Sequence, residues 1–211
     1  MFRNLFNPDS DLMIFMGWVT DAIFLSVFWF MGCMPIVTIG TSTAALYDAV
    51  FYGFRKRSKH SWGRFWRAYI KNFKASLVPT LVFLVLCLAA GVVLITLWNG
   101  AVANGTWIAF AAGAVIGIVL LGILSVLFPM LSRFENGFGQ LLGNTVRLAL
   151  ANLPRTVALA LVNGLTIFAC VRLVLPIFFL PAVAALVSTL FIEPMFRPYL
   201  SEEFYEILSE D

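Results

Sequence analysis

A carboxylate set among apolar residues is costly to desolvate, so it persists where it pairs, meets water or carries function. Asp48 is such a group: it stands in AALYDAVFYGF (44 to 54), with Tyr47 beside it and Tyr52 one turn on. Two readings are open for it, an ion pair with a cation from the basic stretch that follows, and the wall of a polar cavity. Asp21, next to Thr20, reads as a cap at the start of the first apolar run, where it complements the positive end of the helix dipole. Thr38 and Thr41 bracket a break in that pattern, and Arg172 interrupts the last long run, with a stem long enough to carry its head to the bilayer surface. Glu193 precedes Pro194 and is placed to pair with Arg197 one turn away. In SRFEN (132 to 136), Arg133, Glu135 and Asn136 offer a buried ion pair at a helix end or, alternatively, a partner contact.

Catalytic signatures are missing. The single histidine, His60, has no cysteine or carboxylate at metal-ligand spacing. NGAVANG (99 to 105) lacks the strand-to-helix context of a phosphate-binding loop, and there is no G-x-S-x-G elbow. Cys33, Cys87 and Cys170 are isolated inside apolar runs and read as packing residues. The expectation is a chain that is not an enzyme and takes neither metal nor cofactor.

The elements that must position these groups follow from composition. Apolar residues make up 61% of the 211, charged residues only 12%, and the apolar blocks run the whole length without a linker. That excludes a soluble domain of any size and predicts one integral membrane domain, residues 1–211. No small-residue cleavage site follows a short apolar core, so no removable signal peptide is expected. The expected fold class is all-α: a polytopic transmembrane helical bundle of about six helices, with cytoplasmic interfacial amphipathic helices. A bilayer helix needs about 20 residues, which places crossings at 19–39, 42–54, 76–98, 107–131, 156–172 and 175–195, the second short and weak. Pro176 and Pro181 are expected to kink the last. Gly113 and Gly117, at GxxxG spacing, permit a close helix contact within the chain or between copies.

Lysine and arginine in short loops are retained on the cytoplasmic side. Arg55, Lys56, Arg57, Lys59, Arg64, Arg67, Lys71 and Lys74 crowd one loop, and Arg133, Arg147 and Arg155 another. With six crossings both loops, Arg3 and Arg197 face the cytoplasm, and Arg172 alone faces outward. The expected location is a bacterial cytoplasmic membrane, with both termini inside.

Within CMPIVTIGTSTAALYDAV (33 to 50), Pro35 lacks an amide hydrogen and disfavours helical geometry at Met34, so the first helix ends there. The chain is expected to turn at Thr38 to Gly40, with Thr41, Ser42 and Thr43 capping the returning helix. In the basic loop, Trp62, Phe65, Trp66, Tyr69, Ile70 and Phe73 recur at helical spacing, with Arg64, Arg67, Lys71 and Lys74 opposite. An interfacial helix with an aromatic face in lipid is predicted, or a docking helix for a cytoplasmic partner through Trp62, Arg64, Trp66, Arg67 and Lys71. A net charge of +3 gives no reason to expect nucleic acid. A shift of 80 positions sets residues 66 to 82 over 146 to 162, matching Arg67 with Arg147 and Asn72 with Asn152, each asparagine expected to cap an outward crossing. Such a match reads as a parallel repeat or as chance similarity.

PIVTIG (35 to 40), AALY (44 to 47), FWRAYIKNFKAS (65 to 76), FPMLSRFEN (128 to 136), ANLPRT (151 to 156) and FRPYL (196 to 200) together resemble the YesL-like family of bacterial membrane proteins. The resemblance runs from LFNPDSDLM to the end, and TST after PIVTIG is more polar than that family's pattern leads one to expect. It implies a membrane protein of largely unknown function, commonly encoded beside carbohydrate uptake systems in Gram-positive bacteria, with no catalytic residue to carry over. Two functions are therefore expected in competition: a non-catalytic accessory or assembly partner of an ABC-type carbohydrate importer, and a small solute transporter or channel built on Asp48. Expected partners are the lipid bilayer and ABC-transporter subunits, with a homo-oligomer left open.

Overall fold

In lipid every backbone N–H and C=O must be satisfied within the chain, and helices do this segment by segment. The computed structural model describes residues 11–55, 61–134, 137–173 and 175–199, and among them only helices and turns occur. They are α1 (Asp11–Cys33), α2 (Ile39–Val50), α3 (Ser61–Asn104), α4 (Trp107–Arg133), α5 (Phe138–Ala151), α6 (Leu153–Arg172) and α7 (Leu180–Phe196). Helices α1, α3, α4, α6 and α7 are long and apolar enough to cross a membrane. The molecule is an all-α, polytopic membrane bundle.

Pro35 ends α1 as expected. It is extended, a short 3₁₀ turn (Ile36–Thr38) follows, and α2 starts at once, so the reversal comes a few residues before Thr38 to Gly40. The hydroxyl groups of this segment do not cap α2. Thr38 turns its Oγ1 back to the carbonyls of Gly32 and Pro35, at 2.7 and 2.6 Å. Thr43 donates to Ile39 within the helix and accepts from the Trp29 indole. Thr41 reaches across to Ser76 of α3. Buried hydroxyls here find partners on neighbouring segments because no water competes for them.

At 12 residues α2 is about 18 Å long, well short of the roughly 30 Å hydrocarbon core, although the flanking 3₁₀ turn and a π-helical turn (Phe51–Arg55) extend it. It is the most buried element, with Ala44, Ala45, Ala49 and Val50 inaccessible. Small side chains let it sit against α1, α3 and α4 at once. Its register on α3 is fixed at Gly40 beside Thr80, Thr41 on Ser76 and Asp48 on Arg64. The segment expected as a second crossing thus lies alongside the first half of α3. Beyond that level α3 and α4 continue together, with Phe83 on Phe128, Leu94 against Gly117 and Leu97 against Gly113. The GxxxG pair makes its contact within the chain.

The interfacial helix and the third crossing are one continuous helix. At 44 residues, α3 is about 66 Å long, more than twice the hydrocarbon thickness, and its charges stop at Lys74. Nothing from Phe73 to Val78 breaks it. Pro79 is accommodated inside, with Thr80 Oγ1 bonded to the Ser76 carbonyl. The aromatic face is divided: Phe65 is buried in a ring cluster with Phe28, Trp66 and Tyr69, whereas Trp62 and Ile70 stay 57% and 73% exposed.

Repeat-matched residues fare unequally. Ser76 and Thr156 each touch an earlier helix, Thr41 of α2 and Gly122 of α4 respectively. Yet α3 runs straight through Asn72, which is buried mid-helix and caps nothing, whereas the chain breaks at Asn152 between α5 and α6. Asn152 takes the N-cap position of α6 but donates back to the Leu148 carbonyl. In the last hairpin, Pro176 lies in a 3₁₀ turn (Leu175–Phe178) before α7 and Pro181 in the first turn of α7, where proline fits without a kink, so neither stands in the helix interior that they were expected to kink.

The Thr41 and Ser76 pair carries a specific expectation. Ser76 Oγ also bonds the Phe73 carbonyl, so after Thr41→Val its proton keeps an acceptor. Thr41→Val is expected to cost only about 1 kcal/mol, the usual scale of interhelical hydroxyl bonds in membranes. A reversible unfolding titration in mixed micelles checks this, and a loss above about 3 kcal/mol would contradict it.

Candidate functional site

Charged side chains from four helices converge at one end of the bundle. Asp48 (α2) accepts a hydrogen bond from Arg64 Nε (α3) at 3.1 Å, and the Arg64 guanidinium lies over the Tyr52 ring, 3.2 Å from its centre. Both readings of Asp48 hold, because it pairs with a cation and also lines a cavity. Arg133, at the end of α4, is the deepest charge: its side chain is 2% exposed. Its Nη2 donates to Glu193 Oε1 of α7 at 3.1 Å, and its Nη1 reaches the Tyr52 hydroxyl at 3.4 Å. The Phe51 ring covers it at 3.8 Å. Glu193 accepts a further bond from the Tyr47 hydroxyl at 3.0 Å. Arg133 Nε is buried without an acceptor among the described residues.

These contacts revise the expectations for Glu193 and Asp21. Glu193 pairs with Arg133 and Tyr47 rather than Arg197, because α7 brings it against the end of α4. Arg133 takes the buried ion pair open to it at a helix end, with Glu193 as its partner, while Arg64 pairs with Asp48 and keeps 34% of its side chain exposed. Asp21 is no N-cap, since α1 begins ten residues earlier. It accepts from the Ser61 hydroxyl at 3.2 Å and so ties α1 to the first turn of α3. Glu135, Asn136 and His60 lie outside the described residues. Arg172, in the last turn of α6, is exposed beside the Phe168 ring, far along the chain from this cluster.

Two cavities meet around the cluster. The first, about 350 Å³, is lined by Asp48, Tyr52, Arg64, Arg67, Lys71 and Arg133, with Asn72 and Ser132 also in the lining. Among the described residues that lining holds four cations against one carboxylate. The second, about 300 Å³, lies between the helices and is mostly apolar, with Trp29, Phe83 and Phe128 in its wall. Asn163, Thr166 and Ser188 add polar atoms, and Ser188 Oγ is buried without a partner. Tyr47 lines the second cavity and Arg133 the first, and Glu193 bonds both. Glu193 thus links a residue of the cationic cavity to a residue of the apolar one. No group of three or more His, Cys, Asp or Glu side chains that could hold a metal ion occurs among the described residues.

The tyrosines flanking Asp48 were visible in the sequence, but their partners were not. The signal for Arg133 and Glu193 was weak: each is an isolated charge at an apolar boundary, 60 positions apart.

Fold and site together define a helical membrane protein with a buried ion-pair cluster at its basic end. Residues 22–94, covering about half of α1, all of α2 and most of α3, match the profile of a family described as a protein of unknown function, DUF624. No curated protein and no solved structure matches the chain.

Proposed function

We propose that this protein is a non-catalytic accessory or assembly partner of an ABC-type carbohydrate uptake system in a bacterial cytoplasmic membrane, with both termini on the cytoplasmic side and a YesL-like kinship. The observation that carries this reading is the first part of α3. There Trp62, Trp66, Ile70 and Phe73 remain exposed beside Arg67, Lys71 and Lys74, on a segment that outlasts the apolar stretch needed for crossing. Exposed aromatic residues flanked by cations suit a partner helix at the membrane surface. The tight pairing of Asp48 and Glu193 also favours a fixed structural use of buried charge. The match to a family of unknown function supports the kinship at its coarser level.

The test is purification from native membranes with quantitative mass spectrometry. Permease subunits of a carbohydrate importer are expected at a fixed ratio to the protein, and Trp62→Ala with Ile70→Glu is expected to lower that ratio several-fold. Absence of any stoichiometric importer subunit would sink the proposal.

One observation favours a second reading, a small solute transporter. Glu193 bonds Tyr47, which lines the apolar cavity, and Arg133, which lines the cationic one, a linkage that a gate between them would use. Solute flux through the protein reconstituted alone, altered by Tyr47→Phe, distinguishes this reading from the first.

A further inference from the structure

The geometry points to the cavity at the basic end as a binding site for a phosphate group, a ligand class that neither functional reading requires. Among the described residues its lining carries Arg64, Arg67, Lys71 and Arg133 and one carboxylate, Asp48, and Glu193, which neutralises part of Arg133, lies outside the lining. The three arginines carry the site, Lys71 having an interaction of its own. Asp48 engages Arg64 through Nε, so the terminal nitrogens of Arg64 are not committed to that bond. Arg67 is anchored through Nε to the Gly63 carbonyl at 3.4 Å, which likewise leaves its outer nitrogens for another acceptor.

Neutral donors complete the cavity. The Tyr52 hydroxyl accepts from Arg133 and retains its own proton to give, and the buried Asn72 amide is part of the lining. Arg133 Nε is buried without an acceptor among the described residues, so this guanidinium keeps one donor unmet beside the lining. Planar guanidinium groups converging from two helices match tetrahedral oxyanions through paired N–H donors. The volume, about 350 Å³, is at the small end of organic ligand sites and admits a phosphate with a short substituent. A carboxylate ligand would engage fewer of these donors, because it offers two oxygens where phosphate offers three or four.

The phosphate can come from the headgroup of an anionic phospholipid or from a soluble phosphate. Both are tested on the full chain, purified in a phosphate-free maltoside detergent, by thermal unfolding under added inorganic phosphate or added dihexanoyl phosphatidylglycerol. Controls are chloride at matched ionic strength, which removes general screening, and dihexanoyl phosphatidylcholine, which has the same tails and no net charge. Binding to the folded state raises the midpoint in a saturable way.

An upward shift with phosphate alone identifies a soluble source, with phosphatidylglycerol alone a lipid source, and with both the shared chemistry. In each case Arg67→Gln with Lys71→Gln is expected to weaken binding by roughly ten-fold or more, and Lys74→Gln, outside the lining, to leave it intact. Arg67 and Lys71 are exposed at the surface of α3, so these changes spare the core. The proposal is overturned if neither probe shifts the midpoint, if the controls shift it equally, or if the double variant binds as the parent does.

Discussion

Glu193→Ala is expected to destabilise the protein by about 3–5 kcal/mol, the usual cost of removing one partner of a buried ion pair. The reason is geometric. Arg133 is 2% exposed and Glu193 11%, and the carboxylate takes bonds from both Arg133 and Tyr47. Without it the guanidinium keeps its charge, covered by Phe51 and with no other carboxylate bonded to it among the described residues, and Tyr47 loses its acceptor as well. For a chain of about this length 1 kcal/mol moves the unfolding midpoint by roughly 2–4 °C, so the loss reads as about 10 °C in a detergent melt followed by fluorescence.

The companion changes separate the charge from the packing. Glu193→Gln keeps a hydrogen-bond acceptor but no charge, and is expected to fall between Ala and the parent. Arg133→Met with Glu193→Leu removes both charges and is expected to cost less than Glu193→Ala alone, since uncompensated burial is the main penalty. If Glu193→Ala melts within about 2 °C of the parent, the bonds of Glu193 to Arg133 and Tyr47 do not hold the helix ends together.

The second large effect is steric. A methyl group placed on Gly122 would overlap the carbonyl and side-chain methyl of Thr156, where α4 and α6 touch backbone to side. Backbone cannot turn aside as a side-chain tip can, and Thr156 is further pinned through its hydroxyl to the Ala149 carbonyl at 2.8 Å. Overpacking of this kind costs about 1–3 kcal/mol or more, so Gly122→Val is expected at or above the top of that range. Gly113→Ala meets only the flexible end of Leu97, and Gly91 has nothing within 4 Å. Both are expected to stay within about 1 kcal/mol of the parent. Recovery of folded protein by size-exclusion chromatography after heating ranks the three, and equal recovery would refute the close crossing.

This contrast shows where sequence reasoning reaches its limit. Gly113 and Gly117 stood out by their spacing, yet they meet leucine tips. Gly122, which belongs to no recognisable motif, is the glycine of α4 that meets the backbone of another helix. Spacing reports which residues share a helix face. It does not report what the face meets.

The sequence alone determined that hydrocarbon surrounds this chain. Long apolar runs, charges confined to short segments and a proline at residue 35 are local properties, and they specified helices, the bounds of α4, the ends of α6 and α7 and the break after α1, while the starts of α1, α3 and α7 fell elsewhere. The ionisable candidates Asp48 and Asp21 were also recognisable, because a charge in an apolar run is conspicuous by itself. Tertiary structure alone decided the pairings: Asp48 with Arg64, Arg133 with Glu193, and Tyr47 as their neighbour. It also decided that α2 lies along the first half of α3 and that the basic helix continues unbroken into the bilayer. Such outcomes depend on which helices come together, and Coulomb attraction and close packing act through space between residues whose separation along the chain carries no signal.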